Sequence, residues 1–416
     1  MFLLRNAVRD YAWGSTTLLA GLQGRTPTGR PEAEVWMGAH HGAPSGAVPV
    51  DAPAGDPVPL DELIARDPQA MLGEAARFGR LPYLVKLLAA GRPLSIQAHP
   101  TLDQARAGHA AEEAAGIPVD AAHRNYRDDN HKPEMVVALT PFAALCGFRT
   151  PQHAAASFER LAAVLADHAD GGGADPAHAV AGLAARLRAG AIDEAFCALL
   201  DPAGPWAGGD AVAAAVAALR DAPSVLAEDL NLSTAVGIAG HCPRDPGVLV
   251  SVLLNRVDLA PGQAIHLPAG NVHAYLHGLG LEVMAASDNV VRGGLTPKHV
   301  DVPELRRVVR FEALPVPYCT PVADGPGHLL FRPPFEEFQL ERFDLPDAEG
   351  RTLAARGPVI AVCTSGSVRV TTGGQAGPEA VLSAGESVFL GAADGPATVH
   401  GVDGDGAATL FSVTLP

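Results

Sequence analysis

The sequence predicts a mainly β protein with a helical insert: one β-barrel assembled from two separated pieces of chain, an inserted α-helical subdomain, and a second barrel at the C-terminal end. Three observations carry this reading. Residues 1–150 and 248–311 mix short strand-like runs with turns. Residues 151–247 carry Ala, Leu, Arg and Asp at helical spacing. Residues 312–416 return to short strands separated by glycine-rich turns. At 416 residues the chain exceeds what one ordinary core serves. It divides into a discontinuous barrel (1–150 with 248–311), an insert (151–247) and a C-terminal unit (312–416).

Along the chain, Leu60 to Phe78 reads as a helical stretch. Leu81 to Leu88 and Leu94 to His99 read as strands. A composition shift after Thr150 opens the insert, whose helices are broken at Gly171-Gly172-Gly173 and between Pro202 and Gly209. Strand character resumes at Val248 to Leu254 and continues past His273, and Thr296-Pro297 begins a short helical region.

Charge and composition exclude several function classes. The 46 acidic against 30 basic residues give a net charge of −16, which argues against nucleic acid as a partner. An anionic ligand would need a local basic pocket set against that field. The apolar run at the N-terminus is too short for a signal peptide, and no stretch reaches the length of a membrane span. The five cysteines are widely spaced and form no CxxC, so a reducing cytoplasm is expected, with no membrane partner and a monomer favoured. Lysine is scarce: Lys86, Lys132 and Lys298 stand against 27 arginines among the 30 basic residues. Where arginine has replaced lysine almost everywhere, the surviving lysines become candidates for sites in which a compact ammonium is needed.

Metal-ligating side chains concentrate in three segments: Gln97-Ala98-His99-Pro100, His131-Lys132-Pro133-Glu134 and Pro268-Ala269-Gly270-Asn271-Val272-His273. Strand alternation puts Ser95, Gln97 and His99 on one face, and His273, Tyr275 and His277 on one face. Two imidazoles, a carboxylate and an amide oxygen make a first shell for a divalent metal with an open position. A single histidine in such a place is more often a hydrogen-bonded structural residue. The spacing reverses those odds for the set. Gly262, five residues, Pro268, one residue, Gly270, two residues and His273 is the second metal-binding motif of the cupin barrel. Gly91, five residues, Gln97, one residue and His99 resembles the first, with glutamine in place of the usual histidine.

With these motifs the chain resembles the type I phosphomannose isomerases. The resemblance rests on Tyr11 to Ser15, Glu34 to His40, Leu94 to Pro100, His131 to Glu134, Pro268 to Tyr275 and Ser287 to Asp301. It implies a cupin-type catalytic barrel and an aldose–ketose isomerase that interconverts mannose 6-phosphate and fructose 6-phosphate through a cis-enediol. It implies one zinc ion per chain on Gln97, His99, Glu134 and His273, and a catalytic arginine at Arg292. The substrate pocket would be lined by Trp13, Lys86, Ser95, Lys132, Tyr275, Glu282, Asp288 and Lys298. Lys86, Ser95 and Lys298 are then candidates for the phosphate. Glu282, Lys132 and a zinc-bound hydroxide are candidates for the base. A place in carbohydrate metabolism, toward GDP-mannose, follows from the same resemblance. In the C-terminal unit Ala384 to Gly391 resembles a second cupin motif. Laid over Gly262 to His273, it puts Pro396 where the ligand histidine stands, which predicts a barrel without metal. An iron or manganese oxygenase and a non-enzymatic sugar-binding protein remain alternatives at this stage.

Overall fold

One strand, His273–Ala285, organises the first sheet of the computed structural model, which describes residues 1–168, 176–346, 350–354, 357–374, 377–402 and 407–416. Its first half pairs with Phe142–Phe148 and Gln97–Ala98. Its second half pairs with Tyr83–Ala90 and Glu134–Ala138. Partners change at a bulge between Tyr275 and His277, followed by Gly278. Gly278 has a φ of +123°, and a Cβ there would lie 2.7 Å from the Pro141 carbonyl oxygen, so no other residue fits the bend. A bulge inserts one residue into one strand and steps the alternation of side chains. His273 and Tyr275 therefore face inward before it and Glu282 faces inward after it. His277, expected on the face of His273 and Tyr275, is exposed for the same reason.

The sheet curls so that both of its faces are buried. Inside lie Leu88, Ala90, Val136, Phe142, Ala144, Ile265 and Tyr275. Outside, Tyr83, Val85, Leu87, Met135, Leu281 and Val283 share one core with Phe338, Ile360, Phe389 and Phe411 of the C-terminal sheet. Double burial explains why Tyr83–Ala90 reads as an almost unbroken apolar run. The C-terminal unit is a sandwich. Its larger sheet contains Gln339–Leu345, Val359–Ser365, Ser387–Leu390 and Ala408–Thr414, and its smaller one contains Ser367–Thr372, Glu379–Ser383 and Ala397–Gly401. The larger sheet also takes in Phe2–Arg5 and Gly46–Pro49, with Phe2 opposite Phe389, so the start of the chain is woven into the C-terminal unit. Gly262 and Gly385 occupy matching turns, with φ of +86° and +90°. Pro396 directly precedes a strand, as His273 opens one, but proline has no side-chain lone pair to offer.

The insert begins where Thr150 caps the helix Pro151–Asp167 by accepting from the His153 N–H. Its helices pack Phe158, Leu161, Leu183, Phe196, Trp206 and Leu219 against Ile96, Ala98, Leu145 and Val291 of the first sheet. Ile96 and Ala98 thus turn to the insert while Gln97 and His99 turn the other way. The expected break at Gly171-Gly172-Gly173 lies outside the described residues.

Several local expectations are corrected. Val248 to Leu254, read as strand, is the helix Gly247–Val250 continued by a tight turn at Ser251–Leu253, and the strand begins at Leu254. A run buried on every side carries no period by which to tell helix from strand. Leu60 to Phe78 is three short pieces, cut at Asp67-Pro68 and at Gly73, whose φ is +53°. The helix expected from Thr296 starts later, at Val302, capped by the Asp301 carboxylate. Leu94 to His99 holds strand pairing only at Gln97–Ala98, although the Leu94 N–H donates to Tyr275 O and the Ile96 N–H to Gly294 O.

Candidate active site

His99, Glu134 and His273 meet on the inner face of the first sheet, each about 1% exposed. His99 Nδ1 lies 2.7 Å from the Asn289 carbonyl oxygen and His273 Nδ1 lies 3.1 Å from that of Asn271. Each Nδ1–H therefore donates to a carbonyl, which leaves a lone pair on each Nε2. Both lone pairs point at one carboxylate: His99 Nε2 is 3.3 Å from Glu134 Oε1 and His273 Nε2 is 3.3 Å from Glu134 Oε2. His99 Nε2 and Glu134 Oε2 have no hydrogen-bond partner. Three buried acceptors facing one another with no proton between them is a costly arrangement unless a cation sits among them. Gln97 completes the ring, its Nε2 3.3 Å from His273 Nε2, and half a turn about its last torsion presents the amide oxygen instead. Two imidazole nitrogens, a carboxylate and an amide oxygen suit a zinc-like divalent ion with a position left for water or a ligand.

The electrostatics agree. Burial pushes His99 down to about 4, so its imidazole stays neutral and free to ligate. Burial alone would raise the Glu134 carboxyl. The Lys132 ammonium, whose Nζ is 3.2 Å from Glu134 Oε1, opposes burial, and the carboxyl lies well below its usual range.

A second buried group forms on the inner face of the same sheet. Lys86 Nζ lies 3.0 Å from Glu282 Oε2 and 3.3 Å from Glu34 Oε1, over the ring of Trp36, whose Nε1–H donates to Glu34 at 2.8 Å. Lys86 is thus held between two carboxylates. The expectation that it grips phosphate does not fit, because a dianion there would meet Glu34 and Glu282. Burial would lower the Lys86 pKa, and the two carboxylates reverse this and raise it. Burial raises Glu282, with Glu134 and Glu34 adding to the effect and Lys86 opposing it. Tyr275, buried beside these acids, is pushed well above its usual value by desolvation.

The cationic end of the site lies elsewhere. Arg292 stands directly opposite Gln97 in the pairing of Val291–Arg292 with Gln97–Ala98. Burial lowers its pKa and the field of Arg127 lowers it further. Lys298 is lowered by burial, then by Arg292 and Arg127. Among the described residues no carboxylate forms an ion pair with Arg127, Arg292 or Lys298. Three cations that repel one another, with no carboxylate paired to them, make surroundings suited to an anion. Arg127 was not singled out from sequence. It sits in a loop with no motif spacing, and the proximity that reveals it is tertiary.

The remaining expected residues take separate positions. Trp13 is half-buried, stacked on Tyr11 at 5.8 Å, and Ser95 is half-buried on the strand-like segment before Gln97. Asp288 Oδ1 is 3.1 Å from His40 Nε2. Burial would raise the Asp288 carboxyl, but the hydrogen bond from His40 brings it down to about 2. His40, His41 and Asp288 form a second cluster of ligand-type groups. The Gly42 N–H donates to His40 Nδ1, however, so the proton sits on Nε2 toward Asp288 and the imidazole is turned to a hydrogen bond rather than to a metal. His131 turns away from the metal ligands to Glu337 of the C-terminal unit.

Comparison with known proteins agrees with this geometry. Residues 1–151 match the family model for the phosphomannose isomerase type I catalytic domain. Mannose-6-phosphate isomerase of Escherichia coli (strain K12) is 42% identical over 403 residues, covering 96% of each chain. The enzyme of Salmonella typhimurium is 40% identical over 404 residues, again with 96% of each chain covered. A crystal structure of a mutant of the Salmonella typhimurium phosphomannose isomerase superposes with a TM-score of 0.85 at 38% identity, covering 100% of this chain and 99% of that one. A zinc-bound mannose 6-phosphate isomerase structure superposes with a TM-score of 0.84 at 38% identity and the same coverage. This chain belongs to the type I phosphomannose isomerases.

Proposed function

We propose that this chain is a zinc-dependent aldose–ketose isomerase that interconverts mannose 6-phosphate and fructose 6-phosphate. The observation that carries it is the pairing of two complementary sites. His99, Glu134 and His273 make a buried point that calls for a cation. Across the Gln97–Arg292 strand pair lies a group of cations that calls for an anion. A sugar phosphate supplies the matching parts, with adjacent oxygens at C1 and C2 and a phosphate at C6.

The reaction moves a proton between C2 and C1 while the carbonyl shifts from one carbon to the other through a cis-enediol. Zinc held by Gln97, His99, Glu134 and His273 would polarise the sugar oxygens as a Lewis acid. Glu282 takes the proton and returns it. It faces inward with Tyr275, and its raised pKa brings it toward the range a base needs near neutrality. Lys132, another candidate base, is committed to Glu134 and steadies that ligand. Arg292 stabilises the oxyanion of the enediolate. Arg127, Lys298 and Ser95 hold the phosphate, while Trp13, Tyr275 and Asp288 line the sugar. Five unpaired cysteines support a reducing cytoplasm, with the product of the forward or reverse reaction feeding GDP-mannose synthesis, and we propose a monomer. Among the described residues no helix is long and apolar enough to cross a membrane.

The reading is tested by a coupled isomerase assay on metal-stripped protein with zinc added back. Activity lost on stripping and restored by about one equivalent of zinc is expected. Full activity in stripped protein, or none with zinc restored, would overturn it. The phosphate grip is tested separately. Arg127→Ala removes one charge-assisted contact of about 1.5–3 kcal/mol, so KM for mannose 6-phosphate should rise about tenfold or more while kcat changes less. An unchanged KM would remove Arg127 from the grip.

A further inference from the structure

Two chain segments deliver four of the groups described above. The loop 127–132 brings Arg127 and Lys132, and the segment 288–292 brings Asp288 and Arg292. One residue bonds to the loop through its side chain and to a metal ligand through its backbone carbonyl. Asn289 is 0% exposed. Its Nδ2 donates to the carbonyls of Asp128 at 2.7 Å and Asn130 at 2.8 Å, and its Oδ1 accepts the Arg127 N–H at 2.7 Å. Its own carbonyl, in turn, accepts the proton of His99 Nδ1 at 2.7 Å and so fixes which nitrogen of that ligand carries the lone pair. A buried amide with every polar atom used, one end on the loop of Arg127 and the other on a metal ligand, does more than fill space.

We propose that Asn289 is the positioning residue that ties the metal-ligand end of the site to its cationic end. Its side chain clamps the 127–130 loop, and the clamp sets where its backbone carbonyl stands against His99. The distance between metal and phosphate grip is thereby fixed by one residue that touches neither metal nor substrate. This rests on the metal and phosphate readings above, but its primary measurement, zinc affinity, does not depend on isomerisation.

The test compares two variants. Asn289→Ala keeps the backbone carbonyl but releases the clamp. Its zinc dissociation constant, measured by competition with a chromophoric chelator, should rise about 10-fold to 100-fold, the usual cost of losing a group that orients a ligand. The cobalt-substituted variant should show an altered visible spectrum at saturating metal, and KM for mannose 6-phosphate should rise with it. Ser287→Ala is the control. Ser287 Oγ links the same segments, 2.8 Å from Asp128 Oδ1 and 3.1 Å from Asn130 O, and accepts the Asn289 backbone N–H at 3.2 Å, yet its loss leaves every bond of the Asn289 side-chain amide in place. It should lose thermal stability while keeping wild-type zinc affinity and KM. Wild-type zinc affinity and cobalt spectrum in Asn289→Ala would overturn the proposal, as would an equal loss of zinc affinity in Ser287→Ala, since both outcomes describe a merely structural amide. If Asn289→Ala does not fold, Asn289→Asp serves instead. It keeps the acceptor for the Arg127 N–H but removes the Nδ2 donor that holds the carbonyls of Asp128 and Asn130. Zinc affinity should then fall severalfold, and a wild-type value would again overturn it.

Discussion

His273→Ala is expected to purify without bound zinc and without measurable isomerisation. The site holds its ion with two imidazoles, one carboxylate and one amide, and the amide is the weakest donor of the four. Removing His273 leaves one imidazole and one carboxylate that are both 1% exposed, with Lys132 Nζ already 3.2 Å from the carboxylate. Without an ion, Lys132 competes for Glu134 more effectively, and the pocket closes on an internal ion pair. The alanine also removes the Nε2 that Gln97 faces at 3.3 Å, so the amide loses its registry as well. Two measurements on one preparation decide the matter. Metal content should fall from about one zinc per chain to a trace, and zinc at about 100-fold over the wild-type Kd should stabilise the wild type by about 2.7 kcal/mol but not the variant. Full zinc content with normal turnover would remove His273 from the ligand set. Zinc retained on protein ligands within residues 312–416 would overturn the assignment of Pro396 to the missing ligand position.

What could be read from sequence and what could not divide along physical lines. The metal segments were legible because a cupin turn fixes the number of residues between its glycine and its ligand, so Gly262 and His273 announce each other. Gln97 and His99 were legible for the same reason, together with alternation, and the structure does put Ile96 and Ala98 on the opposite side, against the insert. The inward placement of Glu282 could not be read from alternation. Counting by twos from His273 puts it on the outer face, and it faces inward because pairing with Phe142–Phe148 forces a bulge after Tyr275. That bulge is a property of two strands, and neither strand carries it alone.

Lys86 shows the same limit in charge. As one of three lysines it was rightly suspect, yet its partners Glu34 and Glu282 come from strands on either side of its own, and only pairing reveals that it is already neutralised. Arg127 is the converse case: nothing in its local sequence marks it, and it matters because its charge acts on Arg292 and Lys298 while, among the described residues, no carboxylate forms an ion pair with it. The helix Leu102–Ala114 was passed over although its capping box, Thr101 with Gln104, is written in the sequence. Its face toward the protein is mostly exposed or half-buried, so it lacks the apolar stripe that draws attention to helices.

Arg292→Ala is expected to keep its fold and its zinc while losing most of its turnover. The fold should hold because Val291–Arg292 is fixed through its backbone, paired with Gln97–Ala98, and Ile96 N–H and Gly293 N–H exchange bonds with the carbonyls of Gly294 and Ile96 on the same ribbon. Zinc should hold because no atom of the guanidinium bonds to His99, Glu134 or His273. Turnover should fall because Arg292, half-buried, is the one of the three cations without an ion-pair partner that stands in register with a metal ligand, Gln97, where charge builds on the sugar oxygens as the proton leaves carbon. Its depressed pKa reports the same placement: burial, then Arg127, act on a charge with no acid to relieve it, and a substrate anion would supply that relief. Losing one preorganised donor of this kind costs about 2–4 kcal/mol of transition-state stabilisation, a fall in kcat of roughly 10²–10³. Arg292→Lys should rescue poorly, since an ammonium cannot span two oxygens with a planar fork. Zinc content and kcat measured on the same preparation separate the outcomes. A variant with full zinc and near-normal kcat would make Arg292 part of the phosphate grip alone, and its KM would then rise in step with that of Arg127→Ala.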